Sequence, residues 1–314
     1  MEPAVLSPTG DPGDAARVPG PFREEYAMRA LRPHEWLAVG FAAACALGLL
    51  LVIVLNPSAP AAHNMPVTVA AAHSDGLSDA ESGYRFEPVT VPDKRGDARP
   101  VAFRILGPGD KPVTDFQVNQ TKKLHFFVVR DDMAVFRHLH PEPRGDTWHT
   151  AVDLPDGGAY RMYAEFIPFD SADPMHPVVL GLPFAIAGDT ALTPVPAPAA
   201  SADTGSGYTV SRLDGTAPIP VRQVAVLRLR ITGPDGAPVG RVEPHLGAGG
   251  HMTGFNTLLL SATHMHPVEP AGAPLINGEL TFRTGFAERG EHRLFLEFNV
   301  GGTLHTAALT VMVS

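Results

Sequence analysis

Fourteen histidines stand in a chain that holds a single cysteine, Cys45, and eight of them occupy four positions that recur. Phe136-Arg137-His138-Leu139-His140-Pro141 is echoed by Ala262-Thr263-His264-Met265-His266-Pro267, 126 residues later. The same offset relates His125 to His251, Gly107-Pro108 to Gly233-Pro234 and Pro112-Val113 to Pro238-Val239, and at a drifted offset His176 aligns with His305. Two imidazoles at alternate positions of a strand point to one side, roughly 6.5–7 Å apart, and can converge on one metal ion. A third imidazole from a strand paired beside them would suit copper(II) or zinc, and thioethers such as Met133, Met162 or Met175 would shift the preference towards copper(I). The candidate ligands are therefore His125, His138 and His140 in the first copy and His251, His264 and His266 in the second. His176 and His305 are second-tier candidates. Met265, between two ligands on a strand, is expected to face away from them.

The competing reading keeps the histidines as structural groups, hydrogen-bonded to backbone, Tyr or Glu in a module that contacts another envelope protein. Other chemistry finds little support. One cysteine cannot build a disulfide, a Cys-based zinc site or an iron–sulfur cluster. Gly-x-Ser-x-Gly, His-Glu-x-x-His, a phosphate loop and a dinucleotide fingerprint are all missing from the sequence, so no enzyme is expected. His-x-His also opens the cupin metal motif, but Arg144-Gly145 and Pro270-Ala271 stand where the ligand Glu would follow. A formal charge of −9 without any basic run argues against nucleic acid.

The repeat fixes the organisation. Residues 1–35 are rich in Pro, Gly, Ala and charge and are expected to form a disordered cytoplasmic tail. Residues 36–55 run about twenty residues without a charge, the length of a membrane-spanning helix. Arg17, Arg23, Arg29 and Arg32 precede this run and the next Lys or Arg is Arg85, which places the N-terminus in the cytoplasm and the repeats outside. Ala59-Pro60-Ala61 fits a signal-peptidase site, but the long tail and long apolar run favour an uncleaved anchor. Residues 56–82 read as a flexible stalk, 83–190 as module one, 191–205 as a Pro/Ala linker and 206–314 as module two.

Within each module, short apolar runs such as Val101-Ala102-Phe103-Arg104-Ile105 and Val226-Leu227-Arg228-Leu229-Arg230-Ile231 lead into Gly-Pro turns. Tyr160-Arg161-Met162-Tyr163-Ala164-Glu165-Phe166 matches His292-Arg293-Leu294-Phe295-Leu296-Glu297-Phe298. About seven strands in roughly 105 residues, with no disulfide, predict an all-β chain of two tandem Ig-like β-sandwich domains behind one N-terminal transmembrane helix.

Leu124-His125-Phe126-Phe127-Val128-Val129-Arg130-Asp131 with the first His-x-His-Pro, and Gly250-His251 with the second, resemble the membrane-anchored extracytoplasmic proteins of actinobacteria that carry YtkA-like, Ig-type domains. The resemblance spans both modules. It implies a β-sandwich exposed outside the cytoplasmic membrane, and some relatives are linked to heavy-metal handling. The expected function is metal sequestration or transfer, with copper favoured and zinc as the alternative ion, by a single-pass membrane protein whose partner would be an envelope protein or a membrane metalloenzyme.

Overall fold

The computed structural model describes residues 74–314. The expected tail, the membrane helix and most of the stalk lie outside the described residues. Among the described residues no helix is long and apolar enough to cross a membrane, and the only helical element is a 3-10 turn, Ile276–Gly278.

Module one contributes β1 (Tyr84–Thr90), β2 (Gly96–Gly107), β3 (His125–Arg130), β4 (Phe136–Leu139), β5 (Glu142–Arg144), β6 (Thr147–Leu154), β7 (Gly158–Pro168) and β8 (Val178–Ile186). Module two contributes β9 (Thr209–Arg212), β10 (Val224–Thr232), β11 (His251–Asn256), β12 (Ala262–His264), β13 (His266–Pro267), β14 (Glu279–Gly285), β15 (Gly290–Val300) and β16 (Thr303–Val313). The first module pairs them as β1-β2-β6-β5 and β8-β7-β3-β4, and the second repeats this as β9-β10-β14-β13 and β16-β15-β11-β12. Lettered in chain order, both modules are ABED over C′CFG, the strand order of an Ig-like sandwich. The all-β expectation holds among the described residues, apart from the one 3-10 turn.

Each sandwich fills its own core. Phe86, Phe103 and Phe126 stack in module one with ring centroids 4.7 and 5.0 Å apart in sequence, and Trp148 donates its indole N–H to Val113 O at 3.1 Å. In module two Leu227, Leu229, Ile231, Leu280, Phe282, Leu294 and Phe298 fill the equivalent space. Strand β10 alternates exposed and buried residues, as expected of a sheet with one wet face. Strands β3 and β11 do not alternate, since all six residues of each are buried.

A strand buried on both faces needs two partners. Even-numbered residues of β3 and β7 (Phe126, Val128, Met162, Ala164) enter the module's own core, while odd-numbered Phe127, Val129 and Tyr163 join Phe255, Ala262 and Phe295 of module two in a second apolar cluster. The two C′CFG sheets therefore face one another. Phe136 stacks on Phe295 at 4.1 Å, and Tyr163 donates its hydroxyl to Leu260 O at 2.6 Å.

The boundaries differ from the sequence reading in two places. Residues 74–82, expected as the end of a flexible stalk, are docked: Gly181 N–H donates to Ser78 O at 2.8 Å and Ala262 N–H to Asp75 O at 2.7 Å. Backbone groups at the open edges of β8 and β12 need partners, and this segment supplies them. Ser201–Asp203, expected as linker, pairs with β9. The remaining linker is tethered where Thr193 N–H donates to Asp132 at 2.8 Å and Arg130, only 2% exposed, donates to Ala191 O at 3.3 Å.

Phe295→Ala would remove one side of the inter-module stack. It is expected to cost about 3 kcal/mol in urea denaturation, the range for truncating a buried aromatic residue. A change below about 0.5 kcal/mol, the scatter of ordinary surface substitutions, would contradict this packing.

Candidate metal centre

The odd-numbered face that joins the modules also carries the histidines. His125 opens β3 and lies opposite Glu165 of β7. His251 opens β11 and lies opposite Glu297 of β15. His138 is the register partner of Phe127, and His264 of Thr253, so the paired strands bring equivalent imidazoles beside His125 and His251. Because the sheets face each other, the carboxylates cross the interface: His138 Nδ1 lies 2.6 Å from Glu297 Oε2, and His264 Nδ1 lies 2.9 Å from Glu165 Oε1. Each module thus holds a histidine of the other.

His125 Nδ1 is 3.0 Å from His138 Nε2, and His125 Nε2 is 3.0 Å from Asn119 O. The rings of His125 and His251 stack across the interface, with centroids 5.3 Å apart and planes 9° from parallel. One nitrogen each of His125, His138 and His251 lies within 4.8 Å of the other two, a spacing a single ion can draw together. A second set, His138, His245 and Glu297, meets the same limit. His140 borders the first set, 5.2 Å from His125 and 4.7 Å from His138 by ring centroid, and its Nε2 is buried without a partner. His266 lies 4.4 Å from His264, and its Nε2 donates to Met175 O at 3.1 Å. The six expected ligands therefore collect on one interface, and three of them, from both modules, converge.

His176 and His305 do not join. His176 is exposed and bonded to Asp173 at 2.7 Å. His305 pairs in register with Phe298 and bonds Ser206 Oγ at 2.7 Å, on the core side of module two. Phe166, the counterpart of Phe298, pairs with Val178, so the two histidines are not equivalent. Met265 faces the core and is fully buried there, as expected, and Met162 and Met252 are core residues too. Three participants escaped the sequence reading: Glu165, Glu297 and His245. The two Glu stood within the matched Tyr160–Phe166 and His292–Phe298 stretches and carried a signal. His245 replaces Asn119 at the start of a two-residue turn, closed in both modules by reciprocal backbone bonds, Asn119 with Lys122 and His245 with Ala248. Gln120, Thr121, Leu246 and Gly247 all take positive φ, as a type I′ turn requires. The turns meet at the interface, where Gln120 Oε1 bonds His251 Nδ1.

Burial governs the protonation. It holds His138 and His251 well below the ordinary imidazole range, and neighbouring imidazoles add to the effect; His125 is lowered by the same cause. Burial pushes Glu297 up to about 8. The His138–Glu297 contact is thus a neutral pair at pH 7. The equivalent pair behaves in the opposite way. Burial opposes charge there too, but the Glu165 carboxylate raises His264, and His264 brings Glu165 below its ordinary value. A consistent assignment of protons runs Glu297 O–H to His138 Nδ1, His138 Nε2–H to His125 Nδ1, and His125 Nε2–H to Asn119 O. To bind an ion through Nε2, His138 must move its proton to Nδ1 and donate it to an ionised Glu297, the arrangement in which a carboxylate orients a ligand histidine.

A family profile described as a domain of unknown function (DUF8832) matches residues 80–177 and 201–314. No curated protein matches the chain. Among solved structures, the chain is similar to a Salmonella alpha-2-macroglobulin mutant at 12% identity, with 77% of this chain and 15% of that one covered and a TM-score of 0.25. It is similar to invasin, a bacterial integrin-binding protein, at 10% identity, 74% and 38% coverage and a TM-score of 0.22. For the fibronectin(III)-like modules of Clostridium thermocellum CbhA the values are 7%, 74% and 94%, and 0.19. At these scores the Ig-like assignment rests on the strand order.

The protonation states give stability a pH optimum in the metal-free protein. His140 is lowered to about 3 and His266 and His292 to about 4, below the ordinary 6.5. The unfolded chain therefore gains protons first, and stability falls as pH drops from about 6.5 towards 4. Glu297, ordinarily near 4.5, keeps its proton in the fold up to about 8, so its contribution is lost as pH rises through that value. His264, raised, loses its contribution in the same direction. Between 4.5 and 6.5 the many lowered imidazoles outweigh the one carboxylate. The thermal midpoint should peak near neutrality, with a shallower alkaline limb in Glu297→Gln. A midpoint that climbs steadily to pH 9 would contradict the assignment.

Proposed function

The chain belongs to the DUF8832 family of domains of unknown function, and we propose that it binds one transition-metal ion between its two modules, copper in preference to zinc, for sequestration or transfer and without catalysis. The observation that carries this reading is the convergence of His125, His138 and His251 nitrogens within 4.8 Å of one another, drawn from both modules. Three neutral imidazoles suit copper(II) or zinc, and the divalent affinity order favours copper. The unpartnered buried Nε2 atoms of His140 and His245 support a polar guest in the same cluster.

In this reading the chain is a single-pass membrane protein of YtkA-like kinship, its N-terminus cytoplasmic and its modules outside. The uncharged run at 36–55 and the arginines before it support the anchor. An envelope protein or membrane metalloenzyme would then receive or supply the ion.

A second reading treats the cluster as structural. The Glu297–His138–His125–Asn119 chain satisfies these groups without any ion, and the Glu165 carboxylate lies 2.9 Å from His264 Nδ1. It predicts that histidine substitutions lower stability equally with and without chelator.

Copper(II) titrated into the full chain should give an electron paramagnetic resonance signal with nitrogen hyperfine structure. His138→Ala and His251→Ala, one in each module, should each abolish the high-affinity signal, because the ion is shared. Calorimetry in buffers of different ionisation enthalpy should show about one proton released per ion at pH 7, the proton of Glu297. No nitrogen-coordinated signal, or a signal unchanged in His138→Ala, would overturn the metal reading; half the signal surviving in each variant would replace the shared site with two separate ones.

A further inference from the structure

His138 belongs to two groups of potential ligands at once. One nitrogen each of His125, His138 and His251 lies within 4.8 Å of the others, and so do atoms of His138, His245 and Glu297. The two nitrogens of its ring are already divided between them: Nε2 lies 3.0 Å from His125 Nδ1, and Nδ1 lies 2.6 Å from Glu297 Oε2. An imidazole with one nitrogen aimed into each of two ligand sets can bridge two ions.

We propose that the cluster is a two-ion centre, with an inner position on His125, His138 Nε2 and His251 and an outer position on His138 Nδ1, His245 and Glu297. This rests on the metal reading above and extends it to a second ion. The two positions differ in chemistry. The inner one is all imidazole and sealed, with His125 1% and His251 2% exposed. The outer one offers a carboxylate and His245, which is partly exposed and whose Nε2 is buried without a partner. An oxygen ligand and partial access suit a divalent ion arriving from solvent, copper(II) or zinc. His245 is held by the closed two-residue turn to Ala248, so it needs little ordering to act as a ligand.

The protons balance in two steps. The first ion takes Nε2 of His138; the ring keeps one proton, now on Nδ1 and hydrogen-bonded to an ionised Glu297, and the carboxyl proton is released to solvent. The second ion takes Nδ1 and a carboxylate oxygen, releasing the Nδ1 proton and leaving His138 as a bridging imidazolate. No electron is transferred in either step.

The test is copper(II) sulfate added stepwise to the metal-free full chain and followed by electron paramagnetic resonance. The expected result is two bound equivalents, with the signal growing to the first and then diminishing as the second ion couples to it through the His138 ring. His245→Ala and Glu297→Gln should each bind a single equivalent whose signal stays uncoupled, while zinc added to the singly loaded protein should fill the outer position without the loss of signal. Saturation of the natural chain at one equivalent would overturn the second position but leave the shared site standing. So would a second equivalent that adds an independent signal and survives in both variants. In either case Glu297 serves only to orient His138. Failure to bind even the first equivalent would overturn both readings.

Discussion

The structure depends on a face that is buried twice. Strands β3 and β11 have no wet side, so each must satisfy its own core with one set of residues and the opposite module with the other. Most of that second set is apolar. At one end it gives way to imidazoles and carboxylates that are almost wholly buried, and isolated charges there would be expensive to bury. The cost is limited by exchange: Glu297 holds His138 and Glu165 holds His264, each across the interface. Packing of one module against the other is therefore a condition for the polar cluster, and the cluster fixes how the modules meet.

The exchange is symmetric in sequence but not in charge. Glu165 and His264 each shift towards their charged forms, whereas Glu297 and His138 shift towards their neutral ones. Burial keeps charge off His138, and the crowding of His251, His125 and His140 around it adds to the effect. That crowding is the same feature that brings three nitrogens within reach of one ion.

Much of this was legible in the sequence. Matched His125/His251 and His138/His264 located the cluster, and the short apolar runs gave the strands. Two things were not legible. Glu165 and Glu297 sat inside a match that was read as strand pattern alone, because nothing in one module reveals that its outward Glu will meet the other module's histidine. His245 had no counterpart in the repeat, since Asn119 holds that place, and its value comes only from the turn geometry. The pairing of His176 with His305 failed for a related reason: the insertions between the motif and the last strand break the simple offset, and cross-strand register, which assigns Val178 to the place of His305, cannot be read from spacing. Sequence reading assigned three candidate ligands to each module; the fold brings candidates from both modules together.

The central claim is that one ion position is built jointly by the two modules. Anomalous diffraction at the copper edge from crystals of the copper-loaded protein tests it without reference to any variant. The account predicts a peak lying about 2 Å from nitrogens of His125, His138 and His251 together, the bond length for imidazole ligation. Separate peaks, one on the His138-Leu139-His140 stretch and another on His264-Met265-His266, with none between the modules, would contradict it.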